Sequence, residues 1–132
     1  MNVFYNTIVF VKDMAKTRKF YENILGLKIE IDYKVLVIYE NRLAIHDGNA
    51  LKKTIFKRIW NIFPPNKFGR KNIEIYIETN ELKEMEAKLH NCNVRFIHKI
   101  EKQAWGQHVL RCYDPDNHIV EIGEPLHLEY LK

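Results

Sequence analysis

Cysteine is scarce in this chain. The only two cysteines, Cys92 and Cys112, lie twenty positions apart and form no Cys-x-x-Cys pattern. A disulfide-bonded scaffold and a cysteine-ligated zinc site both need more cysteines at closer spacings. The sequence therefore predicts two ordinary reduced thiols.

Long apolar runs are missing as well. The longest uncharged apolar stretch follows Lys34 and ends before Glu40, whereas a membrane-spanning helix needs about 20 residues. The first residues show no basic start followed by an apolar stretch and a small-residue cleavage site, as a secretory signal would. We expect no membrane contact and a cytoplasmic location.

Acidic residues are absent between positions 52 and 71, where seven basic residues lie. The rest of the chain holds fourteen basic and seventeen acidic residues, so only this segment is basic. Apolar residues recur in it at helical spacing, and contact with nucleic acid is one interpretation. We favour the other, in which the segment packs its apolar side on the protein and leaves its lysines in water.

The chain contains one pattern of strands and a helix twice. Asn6 to Val11 reads as a strand, a helix follows that Asp13 caps and Gly26 ends, and three more strands end at His46. Shifting the sequence by 66 residues superimposes 6–11 on 72–77, where a second strand and helix begin. We therefore expect an α+β fold of two tandem β-α-β-β-β modules.

The composition fits a single domain. The chain has 132 residues, of which 46% are hydrophobic and 29% charged, as in ordinary globular domains. We predict one domain over 1–132, with modules at 1–49 and 72–126 joined by the basic segment at 50–71. One helix covers only one face of each sheet, so two modules gain by curving around the other face. A half-open, barrel-like cleft should result, and a ligand would bind there.

Polar residues of the second module are expected to face this cleft. Alternation places Asn72, Glu74 and Tyr76 on the face opposite the isoleucines between them. Trp105 lies just before the next hairpin, where it would either form an aromatic wall over the cleft or pack in the core. Asn72, Glu74 and Tyr76 are candidates for substrate binding. Trp105 is a further candidate if it forms the aromatic wall.

A second group of candidates comes from the strand ends. With Asp114 to Asn117 as a tight hairpin turn, Glu121 pairs with Leu110 and shares a face with His108. His46 ends its strand where Glu121 ends the corresponding strand of the other module. Asn6, His46, Asn72 and Glu121 would then form two pseudo-equivalent pairs in one cleft. Asn6 and His108 are further candidates for substrate binding.

One imidazole and one carboxylate are suitable ligands for a divalent metal. His46 and Glu121 could hold zinc, nickel, manganese or iron(II) with open positions for a bidentate substrate. Asn6 and Asn72 would add only neutral carbonyl oxygens, and His108 would be a third good ligand if its strand lies close enough. The alternative is a hydrogen-bonded His46 and Glu121 in a binding cleft without metal.

Four stretches of the sequence carry a recognisable pattern. They are Val11-Lys12-Asp13-Met14 with Phe20 to Leu27, then Leu43-Ala44-Ile45-His46, then Trp105-Gly106-Gln107, and finally Tyr113 to Glu121. Together they resemble the vicinal oxygen chelate superfamily, which contains glyoxalase I, bleomycin resistance proteins, fosfomycin-modifying enzymes, extradiol dioxygenases and an acyl-CoA epimerase. The resemblance covers the chain from about Asn6 to Glu124.

This resemblance implies paired β-α-β-β-β modules, usually in a homodimer. In metal-bearing members the ligands lie near the start of each module's first strand and at the end of its last strand. Glu121 matches the final ligand, which can also act as a catalytic base, and His46 matches the second. Asn6 and Asn72 stand where His or Gln is usual.

Two functions are compatible with these residues. The first is a metal-dependent lyase or isomerase that acts on a small oxygenated substrate through His46 and Glu121. The second is a metal-free binding protein of the bleomycin-resistance type, which would hold a cationic or aromatic molecule between Glu74, Tyr76, Trp105 and Glu121.

Overall fold

The computed structural model describes residues 1–57 and 71–127. The chain divides into two compact units, Met1–Phe68 and Gly69–Lys132, and each is described here by itself. In the described ranges, no helix is long and apolar enough to cross a membrane. Of the basic segment, Arg58, Lys67 and Arg70 lie outside the described residues.

The first unit is a four-stranded sheet with helical segments. Its elements are β1 (Thr7–Val11), α1 (Met14–Arg18) continued by a π-helical segment (Lys19–Ile24), β2 (Ile29–Asp32), β3 (Leu36–Tyr39), a 3-10 turn (Glu40–Arg42), β4 (Leu43–Asp47) and α2 (Gly48–Phe56). The strand order is β1-β4-β3-β2, with β1 parallel to β4 and the other neighbours antiparallel. The sheet is open, and β1 and β2 are its edges.

Local signals explain where the first helix begins and ends. The Asp13 side chain accepts a hydrogen bond from the Lys16 amide at 3.1 Å, and Gly26 takes the left-handed conformation with φ +74°, as the sequence predicts. The π-helical segment was not predicted. It places Glu22 where Arg18 and the buried Tyr39 hydroxyl both bond to its carboxylate, at 2.8 Å each.

The end of β4 differs from the prediction. The strands were expected to end at His46, but β4 extends to Asp47, which caps α2 by accepting a hydrogen bond from the Ala50 amide at 3.0 Å. An aspartate directly before a helix satisfies one of its free amides. The helix α2 therefore begins before the basic segment at 50–71. Residues 58–70 of that segment lie outside the described part of the chain.

The second unit repeats the architecture. Its elements are β5 (Glu74–Glu78), α3 (Leu82–Asn91), β6 (Phe96–Lys102), β7 (His108–Tyr113) and β8 (Ile119–Gly123). The strand order is β5-β8-β7-β6, with β5 parallel to β8. Leu110, Cys112, Val120 and Ile122 are buried on one face. The predicted α+β fold of two tandem modules is confirmed.

The pairing of the first strand with the last strand has the same register within each of the two units. Phe10 pairs with His46 between β1 and β4, and Tyr76 pairs with Glu121 between β5 and β8. Phe10 and Tyr76 are related by the 66-residue shift, so His46 and Glu121 occupy equivalent places within their own units. The internal repeat is therefore confirmed, whereas the cleft and the homodimer stay predictions.

The predicted register of the β7–β8 hairpin is wrong by one residue. Glu121 pairs with Arg111 instead of Leu110, because the loop is one residue longer than a tight turn. The Asp114 amide donates to the His118 carbonyl at 3.0 Å, and Asn117 takes the left-handed conformation with φ +68°. A slip of one residue moves every side chain to the other face.

Candidate functional site

A row of polar side chains crosses the second sheet on the face opposite Leu110, Cys112, Val120 and Ile122. Strand pairing aligns Tyr76 on β5, Glu121 on β8 and Arg111 on β7, and Arg111 in turn pairs with His98 on β6. Glu74 lies two residues before Tyr76 and therefore on the same face. The structure thus brings Glu74, Tyr76 and Glu121 together, as the sequence predicts.

The centre of this row is an ion pair. Arg111 Nη2 lies 2.5 Å from Glu121 Oε1, and the exposed fractions of these side chains are 23% and 8%. Arg111 Nε is also 3.5 Å from Glu74 Oε1. Two carboxylates therefore share one guanidinium, and the trio carries a net negative charge when both are ionised.

Other polar groups hold Arg111 in place. Its Nη1 and Nη2 each lie 3.3 Å from Gln103 Oε1, and Nη1 is 2.9 Å from His98 Nε2. Because an arginine can only donate, His98 Nε2 acts as the acceptor. Sequence reasoning missed Arg111, since the predicted register put Leu110 opposite Glu121.

Glu74 is the partly exposed carboxylate of the trio. Its pKa is raised above the ordinary value of 4.5, mainly by burial and then by the charge of Glu121, although Arg111 acts in the opposite direction. Two carboxylates that share a site resist carrying charge at the same time. Glu74 is therefore the group of this face that takes up a proton more readily than an ordinary glutamate.

A hydrogen-bonded chain borders the ion pair. Trp105 Nε1 donates to Gln107 Oε1 at 2.8 Å, and Gln107 Nε2 donates to the Tyr76 hydroxyl at 2.8 Å. The Tyr76 hydroxyl in turn donates to Glu78 Oε2 at 2.6 Å. Burial and the bond to Glu78 raise the pKa of Tyr76 to about 12, so it stays a neutral donor.

These hydrogen bonds connect the exposed Trp105 side chain to Tyr76. Gln107 is 3% exposed, while Trp105 is 58% exposed and Tyr76 is 39% exposed. Gly123 makes room for Gln107, because a Cβ at Gly123 would lie 2.5 Å from Gln107 Nε2. Both Trp105 and Tyr76 thus have a fixed polar end and an accessible ring. The core-packing alternative for Trp105 is excluded.

His108 does not share a face with Glu121. The corrected register puts it on the opposite face of β7, where its Nδ1 lies 3.0 Å from Glu124 Oε1. The predicted juxtaposition of His108 and Glu121 is therefore wrong. A direct role of His108 in substrate binding stays a prediction.

The candidates of the first unit lie on a more apolar face. His46 shares its face with Phe10 and Leu36, its strand-paired neighbours, and its Nδ1 is 2.9 Å from the Asp47 carbonyl. Asn6 lies just before β1 and lines a cavity of that unit. Asn72 is exposed just before β5. The meeting of His46 with Glu121 would join both units and stays a prediction.

The residues around Glu121 do not fit a resident divalent metal. A metal ion at Glu121 Oε1 would lie next to the guanidinium charge that already occupies this oxygen at 2.5 Å. Within 1–57 and 71–127, no group of three or more His, Cys, Asp and Glu residues is arranged to hold a metal ion. Zinc and its neighbours bind tightly only to several anionic or imidazole ligands.

Comparison with known proteins assigns the chain to a family. Residues 4–127 match the model of the glyoxalase-like domain. A protein of unknown function from Agrobacterium tumefaciens str. C58 is 38% identical, with 96% of each chain covered and a TM-score of 0.86. Among curated proteins there is no match to the chain.

More distant structures share the fold. A member of the glyoxalase/bleomycin resistance protein/dioxygenase superfamily from Sphaerobacter thermophilus is 20% identical, with 95% of this chain and 98% of that chain covered and a TM-score of 0.69. A lactoylglutathione lyase from Agrobacterium tumefaciens is 17% identical, with 94% of each chain covered and a TM-score of 0.68. At these identities the likeness shows the fold alone.

Proposed function

The chain belongs to the glyoxalase-like domain family, and we propose that it is a small-molecule-binding member whose site on the second sheet works without a metal ion. The ligand is a cationic molecule with an aromatic part. The observation that carries this proposal is the ion pair between Arg111 and Glu121.

The ion pair favours the second of the two functions that the sequence allows, binding without a metal ion. A metal-dependent lyase or isomerase needs the Glu121 carboxylate as a ligand or as a free base. Here the carboxylate is 8% exposed and bonded to a guanidinium, so its charge is already balanced. Binding of a small molecule through shape, charge and ring stacking does not need metal ligands at the positions of Asn6 and Asn72.

The remaining groups favour a cation. After Arg111 has balanced one carboxylate, the second one, Glu74, is 43% exposed on the same face. The accessible rings of Tyr76 and Trp105 offer stacking and cation–π contacts. An amidinium or ammonium group on an aromatic ring would use both features at once.

Calorimetric titration with benzamidine tests this proposal. The protein is first dialysed against EDTA, and benzamidine is compared with neutral benzamide. We expect benzamidine to bind and benzamide to bind more weakly. Glu74→Gln and Trp105→Ala should each weaken benzamidine binding by about tenfold, as for the loss of a charge-assisted or cation–π contact. Glu84→Gln on the exposed side of α3 is the matched control and should change nothing.

The pH dependence follows from the raised pKa of Glu74. A cation needs the ionised carboxylate, so binding is complete at neutral pH and is lost as the pH falls through this pKa. Because the pKa is raised, the loss should begin at a higher pH than for a glutamate of ordinary pKa 4.5.

Metal content distinguishes the competing function. After dialysis against buffer without a chelator, the wild type should hold no stoichiometric divalent metal. Near-stoichiometric metal that is lost in Glu121→Ala would contradict the proposal. It would favour the lyase or isomerase, to be assayed with a hemithioacetal substrate.

A further inference from the structure

A small cavity, open to solvent and lined mostly by exposed side chains, lies in the first unit. Its volume is about 240 Å³, and it is lined by Val3, Tyr5, Asn6, Glu30, Ile38 and Arg42. This space equals the liquid volume of about eight water molecules, which is below the range of about 300–1,000 Å³ typical of drug-sized ligands. The cavity therefore fits a molecule the size of a free aliphatic amino acid.

Two opposite charges line this cavity without meeting. In the described part of the chain, the Glu30 carboxylate makes no hydrogen bond or ion pair, and Arg42 makes no ion pair. Arg42 Nη1 donates to the Phe4 carbonyl at 2.9 Å, which fixes the guanidinium and leaves its other N–H groups unused. A ligand with one negative and one positive group would pair with both side chains.

The backbone at Arg42 supports the same conclusion. Arg42 has φ +74°, a left-handed conformation that is uncommon for residues other than glycine, asparagine and aspartate. It ends the 3-10 turn Glu40–Arg42, and its hydrogen bond to Phe4 ties that turn to the N-terminal segment. Strained residues of this kind persist where surrounding contacts over-determine them, and they cluster at ligand sites.

The uncharged lining adds selectivity. The Asn6 amide makes no hydrogen bond among residues 1–57 and 71–127, and an amide can serve either charged group of a ligand. Val3 and Ile38 offer an apolar wall for an aliphatic side chain. Asn6 therefore lies where its amide can bond to a ligand in this cavity.

We infer that this cavity binds a small zwitterion of the α-amino-acid type. The carboxylate of the ligand binds to Arg42, and its ammonium group binds to Glu30. This site lies within the first unit and goes beyond the function proposed for the second sheet. Either one can fail while the other stands.

Titration of the full chain with L-leucine tests the inference. Two probes that lack one charge, N-acetyl-L-leucine and L-leucinamide, are titrated in parallel. We expect L-leucine to bind and each single-charge probe to bind about tenfold more weakly, because each lacks one charge-assisted contact.

Charge-removing variants connect the binding to the two side chains. Arg42→Gln and Glu30→Gln should each weaken L-leucine binding by about tenfold. The matched controls are Lys34→Gln, which also has a left-handed backbone, and Glu40→Gln, and both should bind L-leucine like the wild type. Circular dichroism verifies that each variant is folded. Absence of L-leucine binding, or equal binding in wild type and both cavity variants, would overturn the inference.

Discussion

Replacing Arg111 by methionine should destabilise the protein more than replacing Glu121 by leucine. The first change leaves a carboxylate that is 8% exposed without its partner at 2.5 Å. The second leaves an arginine that is 23% exposed and still bonded to Gln103 and Glu74. An unpaired buried charge is penalised far more than a partly solvated one.

The magnitudes follow from this difference in burial. Breaking a buried ion pair from one side costs about 3–5 kcal/mol. Because Arg111 is partly exposed, we expect about 3 kcal/mol for Arg111→Met and about 1 kcal/mol for Glu121→Leu. The double variant replaces the pair by two apolar side chains, so adding Glu121→Leu to Arg111→Met should restore about 2 kcal/mol.

Urea unfolding followed by circular dichroism measures these free energies. The control is Arg95→Met, because the exposed Arg95 side chain makes, among the described residues, only a cation–π contact 4.5 Å from the Tyr113 ring and a bond to Asn117. It should lose less than about 1 kcal/mol. Equal losses in the two single variants, or no recovery in the double variant, would refute the reasoning.

Three further predictions concern packing and reactivity. Gly123→Ala should lower the free energy of unfolding by about 1–3 kcal/mol, because its Cβ would overlap Gln107; adding Gln107→Ala should cost less than the sum of the single losses. Thr17→Val should stabilise the protein by about 1 kcal/mol in urea unfolding, since the buried Thr17 hydroxyl has no partner among the described residues. Burial raises the pKa of the Cys112 thiol to about 12, so at pH 8 a thiol reagent should modify only the exposed Cys92 in native protein and both cysteines after unfolding.

The order of strands and helices was predictable because each element leaves a local periodic signal. Ile75 and Ile77 alternate with polar residues along β5, and Asp13 and Gly26 mark the two ends of the first helical region. The repeat at 66 residues then reinforced each assignment with a second copy. The fold of both modules was therefore predicted from the sequence.

The site was predicted only in part, because its centre depends on a hairpin register. Asparagine tolerates a left-handed backbone but does not require it, so the extra loop residue at Asn117 left no clear signal. The resulting slip hid Arg111 and placed His108 on the wrong face. The alternation of apolar residues along β7 indicates the correct register, since Leu110 and Cys112 both belong to the buried face.

The hydrogen bonds that link Trp105 through Gln107 to Tyr76 could not be predicted, for another reason. It depends on Gly123, which is distant in sequence and leaves room for the Gln107 side chain. Nothing in the local pattern around Trp105 reports that space. Contacts of this kind require the register of β7 and β8 to be known first.

The shared register of the two units has an evolutionary consequence. Leu36 and His46 face each other in the first unit where Arg111 and Glu121 face each other in the second. A duplicated ancestor would have carried the same pair twice, so at least one copy has since changed its pair while the sheet kept its strand order. Point mutations at two such places can create or remove a charged site without refolding the sheet, and this is one way in which a single fold acquires unrelated ligands.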